Sequence, residues 1–480
     1  MTTDNSYRSL LKYTGILGGT QALNQLTALV RNKLTALLLG PGGLGVLSLF
    51  FNAYQLLSGV GELGLSTSGV RELSAEADVE AHQRRVAATV RLWGLVGTLL
   101  AGLCCFAAAP ALSRYTFGDE ASAGRFRLLS VAVMAGVQLM VEQAVLKGIR
   151  RLRELALSNL HTTLLSVAVV IPLYYFFREE GVVPAILATA LIGLAATVRY
   201  SWRYAPPTLP AAPRRLLAAG VPLMKLGLAF MVVSAGNYAA NYLIRTFVAS
   251  EGSLDDVGFF NTGYQICFAY MGIVLTSIGV DYFSRLASLQ HDAAAFSSLV
   301  NKQIELSLML IAPLLACLLI GVELAVRILY SEAFLASAAM IVWAWVFVYL
   351  RGPNLALGYI ALSRGDKRIY LLLELTFCVV LCAACVAGFR LDGIRGLGIA
   401  LSADAVFELL VQGAVARSRF GLCLAARSVR TFLLFMLMPL GAFALTFMAE
   451  RGVGYWAVGA PYGAACLWVA LRQVRRRMKG

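Results

Sequence analysis

The stretch YTGILGGTQALNQLTALVRNKLTALLL, residues 13–39, is an apolar run long enough to cross a lipid bilayer as a helix, and it carries Arg31 in its interior. A second run of this kind, residues 217–248, carries Arg245. A guanidinium at the centre of a bilayer costs roughly 2.5–3.5 kcal/mol on insertion scales. We therefore expect both arginines to face a watery cavity or an anionic ligand, and the repeat predicts two copies of one membrane bundle.

The composition is that of a polytopic membrane protein. Of the 480 residues 59% are hydrophobic and 14% are charged, and the mean hydropathy is +0.74; soluble domains have roughly 25% charged residues. Apolar windows of about 20 residues recur along the chain and predict fourteen transmembrane helices. The windows lie near 13–39, 44–66, 88–112, 126–147, 157–177, 183–201, 217–248, 258–282, 301–322, 337–362, 369–388, 396–416, 428–448 and 454–471.

The predicted loops alternate between rich and poor in Lys and Arg, which supports this helix count. Cytoplasmic loops of membrane proteins carry an excess of Lys and Arg. Every second loop is the rich one, as at 147–153 and 199–215, and Arg8 and Lys12 precede the first helix. Both termini are therefore expected to be cytoplasmic. This topology accounts for most of the net charge of +15, and the dispersed basic residues do not indicate a nucleic-acid partner.

A proline-rich segment divides the first twelve predicted helices into two groups of six. The sequence RYSWRYAPPTLPAAPRR lies at 199–215. We expect an N-terminal lobe at 1–201, a cytoplasmic linker at 202–216 and a C-terminal lobe at 217–416. Residues 417–480 are expected to add a helical hairpin and a basic cytoplasmic tail. Duplicated bundles of this kind often hold substrate between the repeats, which rock to give alternating access, so we expect a central cavity between the lobes.

Polar side chains line one face of several predicted helices. Around Arg31 and Arg245 they recur at helical spacing, so each group shares a face that is not expected to contact lipid. A similar stripe runs along the second helix, and in the tenth helix Arg351 shares a face with Asn354 and Gly358. The candidate cavity residues are Gln21, Asn24, Gln25, Arg31, Asn52, Gln55, Asn237, Asn241, Arg245 and Arg351.

Structural interpretations of these polar residues stay open. Single amide side chains can form hydrogen bonds between helices, and each such bond contributes about 0.6 kcal/mol to stability on average. Arg31 can form an interior ion pair with Glu62, which continues the stripe of the second helix. Lys33, Arg91 and Asp281 are expected to lie near the membrane surface and to extend their charges towards water.

The cationic stripes indicate an anionic ligand. A guanidinium binds phosphate oxygens in a bidentate manner and stays charged, and the flanking amides suit sugar hydroxyls. A cation or proton antiport step through Glu62, Glu142 or Glu408 is an open alternative. The sequence contains no P-loop, no metal-spaced histidine cluster and no recognisable catalytic triad. We therefore expect neither an enzyme nor a bound cofactor.

Four segments resemble a known family. They are LLGPGGLGVLSLFFNAYQLLSGVGELGLSTSGVRELS at 38–74, LKGIRRLRELALSN at 146–159, SLDDVGFFN at 253–261 and NLALGYIALSRGDKRIYLLLE at 354–374. With these segments the chain resembles the multidrug/oligosaccharidyl-lipid/polysaccharide (MOP) exporter superfamily, and within its polysaccharide transporter branch the Wzx-type flippases of O-antigen and enterobacterial common antigen. The resemblance spans nearly the whole chain.

The resemblance implies a fold, a substrate and a location. The fold would be all-α, with about fourteen helices in two pseudo-symmetric six-helix lobes plus a C-terminal hairpin, as a MATE-like V-shaped bundle in the bacterial inner membrane. The substrate would be an undecaprenyl-pyrophosphate-linked oligosaccharide, moved from the cytoplasmic to the periplasmic leaflet. Arg31 and Arg245 would contact its headgroup, and polysaccharide assembly proteins would be further partners.

Three other functions compete with this one. A cation-coupled multidrug antiporter of the same superfamily needs carboxylates in its cavity, whereas the central stripes here end in arginine. A lipid II flippase would be chemically close and likewise cationic. A membrane scaffold without transport activity is disfavoured, because charges aligned with polar stripes serve no purpose in it.

Overall fold

The computed structural model describes residues 3–75, 80–207, 213–289, 292–448 and 452–479, and every regular element within these ranges is a helix. The chain forms two compact units, Met1–Val257 and Gly258–Gly480. The boundary between the units falls inside a short helix, Leu254–Tyr264.

Within its described residues, the first unit contains seven helices that pack into one bundle. Its apolar core includes Phe50, Phe126 and Leu129, all fully buried. A single 3₁₀ turn, Arg178–Gly181, joins the fifth helix to the sixth. The helices are α1 (Thr3–Gly61), α2 (Leu65–Ala75), α3 (Glu80–Phe117), α4 (Ala123–Gly148), α5 (Leu152–Phe177), α6 (Val182–Tyr204) and α7 (Pro213–Glu251).

Helix α1 is broken at Gly40, and the local sequence explains the break. Gly40 has φ 67° and ψ −174°, which a residue without a Cβ adopts at little cost. Pro41 follows, and a proline disfavours helical backbone in the residue before it. The break divides α1 into two apolar helical segments, 3–39 and 41–61, in agreement with the predicted turn between the first two spans.

Helix α7 packs within the first unit, against α1, α2 and α3. The contact with α1 and α2 is close: a Cβ added to Gly64 or to Gly227 would overlap backbone atoms of the other segment. Gly64 also has φ 72°, which favours glycine. The two compact units therefore divide after α7 and not at the proline-rich linker before it, and the predicted lobe boundaries stay a prediction.

The second unit continues the all-helical architecture. A π-helical segment, Gln265–Tyr270, joins its first two helices, and a 3₁₀ turn, Glu332–Phe334, precedes α12. Its core includes the fully buried Phe296, Phe334 and Tyr349. The helices are α8 (Leu254–Tyr264), α9 (Met271–Ser288), α10 (Ala293–Ile320), α11 (Val322–Leu329), α12 (Ser337–Trp343), α13 (Trp345–Ser363), α14 (Lys367–Phe420), α15 (Ala426–Leu445) and α16 (Val453–Lys479).

Helix α14 is a pair of helical segments joined at Asp392 and Gly393. Both residues leave the helical conformation, and Gly393 has φ 52°. The two segments then approach closely, since a Cβ added to Gly396 would overlap the carbonyl oxygen of Gly388. Arg395 closes the turn with a salt bridge to Asp392 at 3.2 Å.

The helices have the lengths and the hydropathy of membrane spans. Within the described ranges 7 helices are long and apolar enough to cross a membrane, or 9 when two bent pairs are included. Two of these spans, Leu152–Tyr204 and Lys367–Phe420, run for 53 and 54 residues. A straight helix of that length would measure about 80 Å, whereas the hydrocarbon core of a bilayer is about 30 Å thick. The interruptions at Arg178–Gly181 and at Asp392 and Gly393 divide these two spans into shorter helices. The chain is a multi-pass membrane protein, and the count of fourteen helices stays a prediction.

Replacing Gly396 with alanine is expected to lower the thermal stability of the protein in detergent. The added methyl group would force the two segments of α14 apart, and overpacking of this kind typically costs about 1–3 kcal/mol. Gly413→Ala is the matched control in the same helix, because nothing lies within 4 Å of a Cβ at that position. Unfolding curves that leave Gly396→Ala as stable as Gly413→Ala would contradict the close helix contact.

Candidate functional site

Arg245 is buried in the first unit and held by hydrogen bonds. Only 3% of the residue is exposed. Its Nε donates to the Ser48 hydroxyl at 2.9 Å, across from α7 to α1. Its Nη1 donates to the backbone carbonyl of Asn241 at 3.0 Å and to the Asn241 side-chain oxygen at 2.9 Å. The predicted arginine of the seventh helix therefore lies inside the bundle with a fixed guanidinium orientation.

Ser48 was not among the sequence candidates, although it connects two of them. Asn52 donates to the Ser48 carbonyl at 2.7 Å and approaches its hydroxyl at 3.5 Å. Ser48 thus extends the stripe of Asn52 and Gln55 backwards by one helical turn. This spacing was the available signal, but serine is common enough in apolar helices that only the contact with Arg245 gives it a role.

Arg31 and Ser48, the residue that accepts a hydrogen bond from Arg245, lie at similar distances from Gly40 on its two sides. Arg31 precedes Gly40 by nine residues and Ser48 follows Gly40 by eight, so both lie about 12–14 Å from the break along their segments. Arg31 is partly buried and interacts electrostatically with Tyr174 of α5, a buried residue. The structure thus places both predicted arginines inside the first unit, at comparable distances from the turn at Gly40.

The remaining amides of the first unit are arranged less uniformly. Asn237 donates to the carbonyl of Val233 at 3.2 Å, and Asn241 donates to the carbonyl of Asn237 at 3.0 Å, so both bond within their own helix. The Asn24 side-chain oxygen is buried without a hydrogen-bond partner in the described part of the chain. Gln25 and Gln55 are partly buried. The side chains of Gln21 and Asp281 lie outside the described residues.

Glu62 does not pair with Arg31, and that structural alternative is wrong. Glu62 lies 22 residues beyond Gly40 and Arg31 nine residues before it, so the two are at least about 20 Å apart whatever the bend at Gly40. The buried Glu62 carboxylate instead accepts hydrogen bonds from the Ser66 hydroxyl at 2.8 Å and the Ser66 backbone N–H at 3.3 Å.

Glu142 is held in a buried ion pair with Arg91. Both carboxylate oxygens accept from the guanidinium, each at 2.8 Å, and the Ser201 hydroxyl donates to the same carboxylate. Arg91 also donates to the carbonyl of Ala205 at 2.7 Å, and the Trp202 indole donates to Glu142 at 3.3 Å. The expectation that Arg91 extends towards water is therefore wrong, because a carboxylate on α4 neutralises it inside the bundle.

The second unit holds a separate polar cluster between α13 and α14. Asn354 donates to the Glu408 carboxylate at 3.0 Å and to the carbonyl of Ala405 at 3.0 Å. Arg351 stacks its guanidinium carbon 3.7 Å from the centroid of the Phe268 ring and interacts electrostatically with Glu408. The predicted face of Arg351 and Asn354 thus meets a face of α14.

Two members of this cluster, Asp404 and Gln412, were not among the candidate site residues. They flank Glu408 at spacings of four, so one face of α14 carries all three. One side-chain oxygen each of Asn354, Asp404 and Gln412 is buried without a hydrogen-bond partner in the described ranges. Buried oxygens of this kind are costly unless a donor, proton or cation satisfies them. The Nε of Arg351 is likewise buried without a hydrogen-bond partner in these ranges, so the cluster contains acceptor oxygens and one donor that the described residues leave unsatisfied.

The chain is similar to known proteins in sequence and in fold. A family model described as "Polysaccharide biosynthesis protein" matches residues 34–339. The chain is 25% identical over 357 residues to the lipid III flippase of Escherichia coli (strain K12), covering 72% of this chain and 84% of that protein. Among solved structures, it is similar to "Lipid II flippase MurJ, inward closed conformation", with TM-score 0.74, 10% identity and coverage of 97% and 99%.

A second solved structure has the same fold. It is an inward-facing multidrug resistance MATE family transporter of the MOP superfamily, with TM-score 0.67, 17% identity and coverage of 82% of this chain and 96% of that chain. At these identities the similarity establishes the fold alone. The predicted all-α, MATE-like bundle is confirmed.

The Glu142→Ala variant is expected to be markedly less stable than the wild type. Removing one partner of a buried pair leaves an uncompensated charge, which typically costs about 3–5 kcal/mol. An Arg91→Met/Glu142→Leu double variant should recover much of that loss, because it removes both charges together. Thermal unfolding in detergent measures the stability of the single and the double variant. A Glu142→Ala variant as stable as the wild type would contradict a buried ion pair between Arg91 and Glu142.

Proposed function

Because the chain belongs to the polysaccharide biosynthesis protein family, we propose that it is a flippase for a lipid-linked oligosaccharide. The substrate would be an undecaprenyl-pyrophosphate-linked unit of O-antigen, enterobacterial common antigen or a related surface polysaccharide. It would move from the cytoplasmic to the periplasmic leaflet of the bacterial inner membrane, with both protein termini in the cytoplasm. The similarity to the Escherichia coli lipid III flippase supports this substrate class.

The observation that carries the proposal is the buried guanidinium of Arg245. A cation deep in a bundle of bilayer-spanning helices is costly unless the surroundings or a ligand compensate it. Ser48 and Asn241 fix its orientation by hydrogen bonds. A guanidinium held in a fixed plane suits a pyrophosphate, because it recognises phosphate oxygens through two parallel hydrogen bonds.

Further groups of the first unit fit the remainder of the headgroup. Arg31 would provide a second cation for the pyrophosphate, since it lies at a comparable distance from the Gly40 break. Amide side chains would bind sugar hydroxyls, and the isoprenoid chain would stay in lipid. The amides are Gln21, Asn24, Gln25, Asn52, Gln55, Asn237 and Asn241. Alternating access by lobes 1–201 and 217–416 completes the proposed transport cycle.

The polar cluster of the second unit is the best candidate for a coupling site. Glu408 lies beside Asp404 and faces Asn354, and the unsatisfied buried oxygens around it suit a proton or a cation. Glu62 and Glu142 are less suited, because Ser66 and Arg91 already satisfy their carboxylates. Arg351 would then contribute to this cluster and not to the headgroup site.

Specific observations favour two alternative functions. The carboxylates Asp404 and Glu408 favour a cation-coupled drug antiporter, for which a bound organic cation would be the diagnostic finding. The similarity in fold to a lipid II flippase favours lipid II as the alternative substrate. The relatives are flippases and transporters, so we propose a transporter and not an enzyme, with membrane lipid and polysaccharide assembly proteins as further partners.

Arg31→Ala and Arg245→Ala are expected to reduce flipping at least about tenfold in proteoliposomes. A hydrogen bond to a charged group is worth about 1.5–3 kcal/mol, which corresponds to tenfold or more. Arg→Lys variants should lose less, because they keep the charge but not the planar fork. The assay measures how fast a labelled undecaprenyl-pyrophosphate glycan becomes accessible on the far side of the membrane.

Arg114→Ala is the matched control, because Arg114 is an exposed arginine paired with Glu120. It should flip the glycan at the wild-type rate. If Arg245→Ala does not fold, Arg31→Ala and Arg245→Lys still test the site. Folded arginine variants that flip the glycan at the wild-type rate would rule out the cationic site. The antiporter would be favoured if neither the wild type nor any variant flips the glycan and the variants lose export of drug cations.

Glu408→Gln is expected to abolish any stimulation of flipping by an imposed proton or sodium gradient, because an amide cannot release a proton and binds cations weakly. Substrate binding at equilibrium should be retained, since Glu408 belongs to the second unit. Glu62→Gln is the matched control, a buried carboxylate bound to Ser66. Gradient stimulation that persists in Asp404→Asn/Glu408→Gln would exclude this cluster from coupling.

A further inference from the structure

Six exposed basic residues of the first unit converge at one end of its bundle, and neither the proposed headgroup site nor the coupling cluster uses them. They come from the end of α4, the turn after it, the start of α5 and the last turns of α6. We call them the basic patch: Lys147, Arg150, Arg151, Arg153, Arg199 and Arg203.

The two helices bring their charges around one aromatic ring. The guanidinium carbon of Arg151 lies 4.2 Å from the centroid of the Tyr204 ring, and that of Arg203 lies 5.9 Å from it. The two carbons are thus within about 10 Å of each other, which is the screening length at 0.1 M salt. Like charges at this separation repel each other, so an anion between them would be stabilised by both.

The patch has no close ion pair with a carboxylate of the described chain, and Glu62 interacts electrostatically with Lys147 alone among its residues. None of its six residues forms a salt bridge within the described ranges. The nearby Glu142 is occupied by Arg91, Ser201 and Trp202. The local excess of positive charge is therefore available to an external anion.

The turn between α4 and α5 holds two of the cations in place. Arg150 has φ 60°, a conformation that side chains other than glycine rarely adopt. The turn is fixed by backbone hydrogen bonds from Arg150 to the Lys147 carbonyl at 3.0 Å and from Arg151 to the Leu146 carbonyl at 2.9 Å. Because the backbone of this turn is fixed, binding of a ligand by Arg150 and Arg151 would not have to order the backbone.

Exposed apolar side chains border the cations. Leu152 is 52% exposed and Trp202 is 48% exposed, and both lie next to patch residues in the chain. Tryptophan and tyrosine typically lie at the level of lipid headgroups. A ligand that contacts this border needs a phosphate and a hydrocarbon part together. The positive-inside rule explains the sign of the charge at this end, but not its convergence on Tyr204.

We propose that the basic patch binds the phosphate headgroup of an anionic phospholipid, with the acyl chains along Leu152 and Trp202. Under the predicted topology the lipid belongs to the cytoplasmic leaflet. The proposal does not depend on the transported substrate, because the patch residues differ from those of the headgroup site. It predicts that the protein retains anionic phospholipid in preference to a zwitterionic one.

Native mass spectrometry of the purified full chain tests this. The protein is titrated with phosphatidylglycerol and separately with phosphatidylcholine in detergent. Arg151→Gln/Arg203→Gln should bind phosphatidylglycerol roughly tenfold more weakly, since each basic residue near a membrane surface contributes substantially to anionic lipid binding. Its binding of phosphatidylcholine should not change. The Arg→Lys double variant should keep most of the preference, because it keeps both charges.

Arg84→Gln/Arg85→Gln is the matched control, since both arginines are exposed and the variant loses the same formal charge. It should bind phosphatidylglycerol as the wild type does. Equal losses in the two double variants would show a general charge effect and overturn the proposal, as would equal binding of the two lipids by the wild type. Displacement of the lipid by millimolar inorganic phosphate would reassign the patch to a soluble phosphate.

Discussion

The low polarity of the bilayer interior is the constraint on which the rest of this structure depends, because every intramembrane charge must be compensated within the protein or by a ligand. Arg245 shows the constraint most clearly. Ser48 and Asn241 satisfy N–H groups on its Nε and Nη1 and thereby fix the plane of the guanidinium, but they add no negative charge. The hydrogen bonds therefore hold this guanidinium in one orientation inside the bundle.

Three arginines inside the helical bundles, of which Arg245 is buried and Arg91 and Arg351 are partly buried, have chemically different surroundings. Arg91 is neutralised by a bidentate carboxylate, so its charge has little effect on a distant ligand. Arg351 lies against the face of Phe268, where the ring quadrupole attracts a cation. Arg245 has neutral hydrogen-bond partners on α1 and α7. These differences in environment, and not the residue type, separate the structural arginine from the candidate ligand-binding one.

Hydropathy and helical spacing predicted the features of this protein that are local in the sequence. The apolar windows indicated the all-helical architecture, and the gap between the windows at 13–39 and 44–66 agrees with the break in α1 at Gly40. Of the stripe around Arg245, the arginine itself is buried, whereas Asn241 is partly buried and Asn237 is exposed. Pairings between distant helices could not be predicted. Arg91 and Glu142 are 51 residues apart, and only the packing of α3 against α4 brings them together. The same applies to Asp404 and Gln412, whose burial depends on α13.

The distribution of charge between the two units has a consequence for coupled transport. The apolar helices of the first unit carry Arg31 and Arg245, whereas the central polar cluster of the second unit carries Asp404 and Glu408 beside Arg351. In the proposed function, the first set would bind an anion and the second a proton or a cation. Two ligands of opposite charge would then not compete for the same side chains. Coupling between them would have to act through the conformation of the protein, because sites that share no residues influence each other only through states that both ligands bias.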